Sequence, residues 1–141
     1  MSDIIETHDF IIYIGRFQPP HLAHIELMKI ALEKGKILIV LIGSAFQPRT
    51  IKNTWTWQER SYMILDSLPQ ELKPRVHVLP LRDIKYNDPK WLQQVQEIVT
   101  KTQTQYNIEN PKTAIIGHSK DETSYYLKSF PQWDTIDVPN I

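Results

Sequence analysis

Short, continuous apolar runs alternate along the chain with longer stretches in which apolar residues recur every three or four positions. The runs are "FIIYIG" at 10–15, "KILIVLIG" at 36–43, "RVHVLPL" at 75–81, "KTAIIGHS" at 112–119 and "WDTIDVP" at 133–139. Runs of this length, rich in β-branched residues and bounded by turn formers, read as strands, and the first two are apolar enough to be buried on both faces. The stretches between them read as helices. Residues 22–35 place Leu22, Ile25, Met28 and Leu32 near one face, with Gly35 as a stop. After a loop at 44–56, Thr56 and Glu59 have the spacing of a capping box and open a second helix. A long third helix covers 88–106, with Asp88 as N-cap and Pro89 in its first turn, and a short fourth covers 121–130.

A repeating strand–helix order with near-continuous apolar strands calls for an α/β fold: a Rossmann-like, doubly wound parallel sheet of about five strands with helices on both faces. The 141 residues suit a single domain, 1–141, without internal repeat or linker. The unusual polar segments all follow strands: "GRFQPPHLAH", "GSAFQPRTIKNTW", "LRDIKYNDPKW" and "GHSKDE". They therefore share the carboxyl edge of the sheet, where open α/β sheets bind ligands.

Charge and composition narrow the picture. The formal net charge is zero, which argues against a protein held to nucleic acid or anionic lipid by bulk charge. The absence of cysteine excludes disulfides and thiolate metal sites and favours a cytoplasmic home. The start, "MSDIIETHD", is acidic where a signal peptide is basic, and no apolar run reaches the roughly 18–20 residues of a membrane span.

Among the strand exits, "GRFQPPHLAH" carries the densest chemistry. A helix beginning near His21 puts His21 and His24 in its first turn, where free amides and the positive dipole end favour anions. Two imidazoles three apart share a face and add donors for one phosphate. The alternative is that one caps the helix and the other faces water. Zinc is disfavoured, because helical zinc pairs sit four apart and no third ligand lies near. Arg16 supplies a planar fork for phosphate or, alternatively, a surface salt bridge. Pro19 and Pro20 stiffen the turn. Arg60 reads equally as a phosphate ligand or a helix-surface ion pair, and Trp55 and Trp57 as packing residues that fix the loop, with lining the pocket as the alternative for Trp57. His8 reads as an ordinary tail residue and His77 as an ordinary strand residue.

"GRFQPPHLAH" resembles the signature of the nucleotidylyltransferase superfamily, in which a His/Thr-x-Gly-His motif follows the first strand. Together with "GSAFQPRTIKNTWTWQER", "LRDIKYNDPKW" and "IIGHSKDETSYYLKSFPQWD", it makes nearly the whole chain similar to archaeal-type nicotinamide mononucleotide (NMN) adenylyltransferases. The resemblance is strongest to the adenylyltransferase half of bacterial proteins that fuse this domain to a Nudix hydrolase. It implies transfer of the adenylyl group of ATP to NMN, giving NAD and pyrophosphate, by positioning and electrostatic stabilisation. On this resemblance His21, His24 and Arg16 are the catalytic residues. ATP is expected at Gly15, Arg16, Phe17, Gln18, His24, Gly117, His118 and Lys120, with Asp121 beside them. NMN is expected at Ser44, Arg49, Asn53, Trp57, Asp83, Asn87 and Trp91, with Lys52 in the same loop and the Trp91 indole facing the cationic ring. Packing alone is the alternative role for Trp91. Mg²⁺ is expected to arrive on the ATP phosphates, with no metal site built by the protein. A homo-oligomer and a fused Nudix domain in the native chain complete the implied partners.

Two features depart from the family pattern. Ala23 stands at the motif glycine, and the chain reaches "DVPNI" before the family's Ser/Thr-rich motif ending in arginine. The expectation is a domain cut from a longer chain, or other residues in that motif's place. Rival readings are a pantetheine-phosphate or glycerol-phosphate nucleotidylyltransferase, and a regulatory module that binds ATP or NAD without turnover.

Overall fold

The computed structural model describes residues 7–85, 87–118 and 124–138, with Ser124 described by its backbone alone. The strands are β1 (His8–Gly15), β2 (Gly35–Ile42), β3 (Val76–Pro80), β4 (Thr113–Gly117) and β5 (Asp134–Asp137). The helices are α1 (Leu22–Lys34), α2 (Trp57–Ser67), α3 (Asp88–Gln103) and α4 (Ser124–Ser129), with 3-10 turns at Gln70–Arg75 and Thr104–Tyr106. All strand pairs are parallel, in the order β3-β2-β1-β4-β5. The expected five-stranded, doubly wound sheet is therefore present. Its order reverses direction between β1 and β4, so the switch point lies at the carboxyl end of β1.

Alternation along β1 divides the core. Ile11 and Tyr13 pack with Ile25, Met28 and Ile64 on the α1/α2 face, whereas Phe10, Ile12 and Ile14 pack with Val95, Val99 and Phe130 on the α3/α4 face. Both faces of the strand are dry, and burying each such side chain contributes about 1.5–3 kcal/mol. Helices are thus required on both sides. Among the described residues, no helix is long and apolar enough to cross a membrane.

Several local expectations are corrected. Leu22 opens α1 but is 83% exposed; the buried face uses Ile25, Leu27, Met28, Ala31 and Leu32. Gly35 is the C-cap that ends α1, as expected, but without a left-handed turn: its φ is −137°, and it also begins β2. A Cβ there would lie 2.6 Å from Cγ1 of Ile11, so close packing against β1 explains the glycine. The N-cap of α3 is Asn87, whose side chain accepts from the Lys90 amide, and Asp88 is the first helical residue. The predicted third helix turns 3-10 after Gln103. Arg75 lies in the 3-10 turn before β3 rather than in the strand. His8 is part of β1, not a tail, and its Nε2 lies 2.8 Å from Asp134 Oδ2. Residues 119 and 121–123 of the predicted strand exit and fourth helix, and residue 139 after β5, lie outside the described residues.

Candidate active site

The exit of β1 is built by its own aromatic ring. Phe17 is buried, has a left-handed φ of 51°, and tucks its ring back beneath Gly15, where a Cβ would meet Phe17 Cζ at 2.8 Å. Its ring meets those of Tyr13 and His24 edge-on, with centroids 5.2 and 4.9 Å apart. Phe17 thus supports His24 from below. Gln18 spans to the next exit loop: Oε1 accepts from Trp55 N at 3.0 Å, and Nε2 donates to Trp55 O at 3.1 Å.

His21 is the N-cap of α1, and its backbone N–H donates to His24 Nδ1 at 2.8 Å. The two rings stack with centroids 5.2 Å apart. Because Nδ1 accepts, the proton of neutral His24 resides on Nε2, which becomes a donor. Alongside lies the first turn of α1, where the His21 side chain accepts from the His24 amide in a capping box, and the amides of Leu22 and Ala23 have no carbonyl partner within the helix.

Arg16 follows β1 and lines an open cleft of about 370 Å³. Its Nη2 donates to Asn53 Oδ1 at 2.7 Å and to Lys52 O at 3.2 Å. Its Nε is buried without a hydrogen-bond partner among the described residues, and such a donor favours an anion. Elsewhere in the cleft stand Ser44, Asp83, Lys85, Trp91 and Tyr126. Ser44, at a left-handed φ of 52°, donates through Oγ to both carboxylate oxygens of Asp83, at 3.1 and 2.9 Å. Gln47 Nε2 adds a longer bond of 3.4 Å to Asp83 Oδ2. Trp91, one turn into α3, stacks on Tyr126 with centroids 5.5 Å apart and tilts against Phe130.

Among the described residues, the remaining site expectations do not line this cleft. Arg49 donates to Thr54 O at 2.8 Å and pairs with Glu59 at 3.0 Å, so its fork is engaged by its own loop and the first turn of α2. The Thr56 amide, and after it the charge of Arg49, hold the Glu59 carboxyl below its ordinary range, while desolvation opposes them. Thr56 and Glu59 form the expected capping box, at 2.8 and 3.1 Å. Trp57 begins α2 and packs against the apolar cluster on the α1/α2 face, with its Nε1 buried and unpartnered among the described residues. Asn87 is occupied in capping α3. Gly117 ends β4, its carbonyl accepting from Val138 N at 2.9 Å. His118 is buried with Nδ1 2.7 Å from Val138 O, which ties β4 to the end of β5. Lys120 and Asp121 lie outside the described residues.

Arg60 is not the helix-surface ion pair that its sequence position left open. It is 1% exposed, and its described partners are all main-chain carbonyls. Nη1 donates to Arg16 O at 2.6 Å and Gly43 O at 2.8 Å, while Nη2 reaches Ser44 O and Nε reaches Thr56 O, both at 3.2 Å. Burial, and then the nearby Arg16 charge, push its pKa down to about 10, with Asp83 opposing, so it remains a cation at neutral pH. Sequence reasoning also missed Lys85, Tyr125 and Tyr126 as lining residues. The doublet "YY" at 125–126 was visible, but only helix packing shows which ring reaches Trp91.

A family model described as cytidylyltransferase-like matches residues 12–136. An Acinetobacter baylyi protein named nicotinamide/nicotinic acid mononucleotide adenylyltransferase is 40% identical over 134 residues, which cover 94% of this chain and 68% of that protein. A Thermoplasma volcanium nicotinamide-nucleotide adenylyltransferase is 33% identical over 118 residues, covering 84% of this chain and 64% of its own. The crystal structure of a Francisella tularensis bifunctional NMN adenylyltransferase/ADP-ribose pyrophosphatase, complexed with AMP and a manganese ion, superposes with a TM-score of 0.82 at 36% identity. That match covers 95% of this chain and 38% of the Francisella chain. The chain thus spans about two thirds of these curated relatives and well under half of the bifunctional protein.

Proposed function

Because the chain belongs to the cytidylyltransferase-like family, with nicotinamide mononucleotide adenylyltransferases among its relatives, we propose that it transfers the adenylyl group of ATP to NMN. The observation that carries this reading is the polarity of the carboxyl edge. Arg16 with its unpartnered Nε and His24 both follow β1, while the Ser44–Asp83 pair and the Trp91–Tyr126 stack lie at the next exits of the same edge. The first group suits phosphates and the second a flat cationic ring with a carboxamide.

In this reaction a phosphate oxygen of NMN attacks the α-phosphorus of ATP. A P–O bond forms, the α–β bridging bond breaks, and pyrophosphate leaves with the bond's electrons. The nucleophile is already anionic at neutral pH, so no side chain is needed as a general base. Arg16 and His24 Nε2 stabilise charge as it builds on the phosphoryl oxygens, and the amides at the start of α1 add donors without reorganisation. Asp83, held by Ser44, accepts from the carboxamide, and Trp91 stacks on the ring. Among the described residues there is no cluster of three acidic or histidine ligands. The N–H donors at this edge suit the anionic phosphates and ligate no cation, so in this reading a divalent metal, which we take as Mg²⁺, would be carried by the nucleotide. When bound it offsets charge on the phosphate oxygens.

In this reading, 1–141 is a single nucleotidylyltransferase domain in a cytoplasmic enzyme of NAD biosynthesis or salvage. A homo-oligomer and a fused Nudix domain in the native chain belong to the same proposal; the Francisella likeness supports the latter. The test is to incubate the protein with ATP, Mg²⁺ and NMN and measure NAD and pyrophosphate in equal amounts. Binding of both substrates without turnover would favour the regulatory module. Turnover with phosphopantetheine or glycerol phosphate in place of NMN would favour the rival enzymes.

A further inference from the structure

Two arginines clasp opposite ends of β2. Arg75 donates to Leu32 O, Gly35 O and Lys36 O, at 2.7, 2.8 and 2.9 Å, where the strand begins. Arg60 donates to Gly43 O and Ser44 O where it ends, and also to Arg16 O and Thr56 O. The chemistry is the same, but the setting differs. The Arg75 clasp sits at the amino edge of the sheet, away from the cleft. The Arg60 clasp sits beneath it.

We infer that Arg60 is a positioning residue that holds the phosphate-side and ring-side exits in one geometry. Its fork receives the carbonyl of Arg16, whose side chain lines the cleft, and the carbonyl of Ser44. Ser44 is a non-glycine residue at positive φ, a conformation that persists only when its surroundings impose it. The Ser44 carbonyl bond is one such constraint, and it aims Oγ at Asp83. Two backbone bonds frame the same region: Gly43 N to Gly15 O at 2.8 Å and Ala45 N to Leu81 O at 3.0 Å. Only a planar guanidinium spans four carbonyls around one centre; a lysine ammonium keeps the charge but has three donors on a single atom. Arg60→Lys therefore separates geometry from charge.

The inference rests on the proposed activity, and its test has one arm that does not. In the first arm, Arg60→Lys and Arg75→Lys are assayed at a temperature where both are fully folded. R60K is expected to lower kcat/KM by roughly 10- to 100-fold, the scale of a small misplacement, while R75K stays within about twofold of wild type. Equal, small effects would overturn the inference. In the second arm, amide hydrogen exchange is measured without substrates. R60K should speed exchange at Gly43 and Ala45, whereas R75K should not. If wild type makes no NAD, the functional reading fails, and this arm decides the inference alone. If R60K does not fold, wild type suffices: the Arg60 guanidinium protons and the Gly43 and Ala45 amides should share one protection factor. Amides far less protected than the guanidinium would overturn the clasp.

Discussion

At His24 the backbone selects the tautomer. The His21 amide occupies Nδ1, so Nε2 is a donor, and Phe17 supports the ring from below. His24→Ala removes that donor while leaving the core intact, and kcat should fall by about 10²-fold or more, the scale of a lost transition-state donor. NMN affinity, measured by calorimetry, should hold. Unchanged kcat would remove His24 from the machinery. Trp91 tests the other side. Its ring is braced by Tyr126 and Phe130, so an incoming ring meets a rigid surface. Trp91→Ala should weaken NMN binding by the roughly 0.5–2 kcal/mol of a cation–π contact and leave ATP affinity unchanged. Equal loss for both ligands would mean that Trp91 only supports the fold.

The elements show how local signals compete with packing. The Thr56–Glu59 box forms as its spacing predicts, because both partners lie within one turn. Asn87 displaces Asp88 as the cap of α3, and both residues suit the role. Gly35 is the sharper case. Its extended φ would accept alanine, but its neighbour would not. Gly35→Ala should lower stability by about 1–3 kcal/mol through overpacking, read as a lower melting temperature. Ile11→Ala should then cost less in that background than beside glycine, because it removes the clashing atoms. Additive losses would show that helix ending, not contact with β1, explains the glycine.

Across the whole molecule, pH sensitivity should come from the core as well as the site. His77, in β3, packs against Tyr106 and hydrogen-bonds its hydroxyl, and burial lowers the pKa of its imidazole below the ordinary value. Below about pH 6.5, the ordinary histidine value, the unfolded chain takes up a proton that the folded chain resists. His77 therefore adds stability above that pH, and the contribution is lost as pH falls through its lower folded value. Melts between about pH 7.5 and about pH 5 should show wild type losing stability faster than His77→Asn; parallel curves would acquit His77. The order of elements, the two-sided burial of β1 and the gathering of polar segments at one sheet edge were legible in the sequence, because periodicity and strand–helix alternation are local properties. So was the region of the candidate cleft, whose lining residues Arg16, Ser44 and Asp83 each follow a strand. The assignments within it were not. Arg60 lies one position beyond the cap pair, with nothing local to show that its fork meets carbonyls from two other segments as well as that of its own helix cap. His118 turns to β5, and Gln18 to the Trp55 backbone, through bonds that span many residues. Sequence spacing determines which backbone groups a helix or strand satisfies for itself; tertiary packing alone decides which side chains must satisfy the rest.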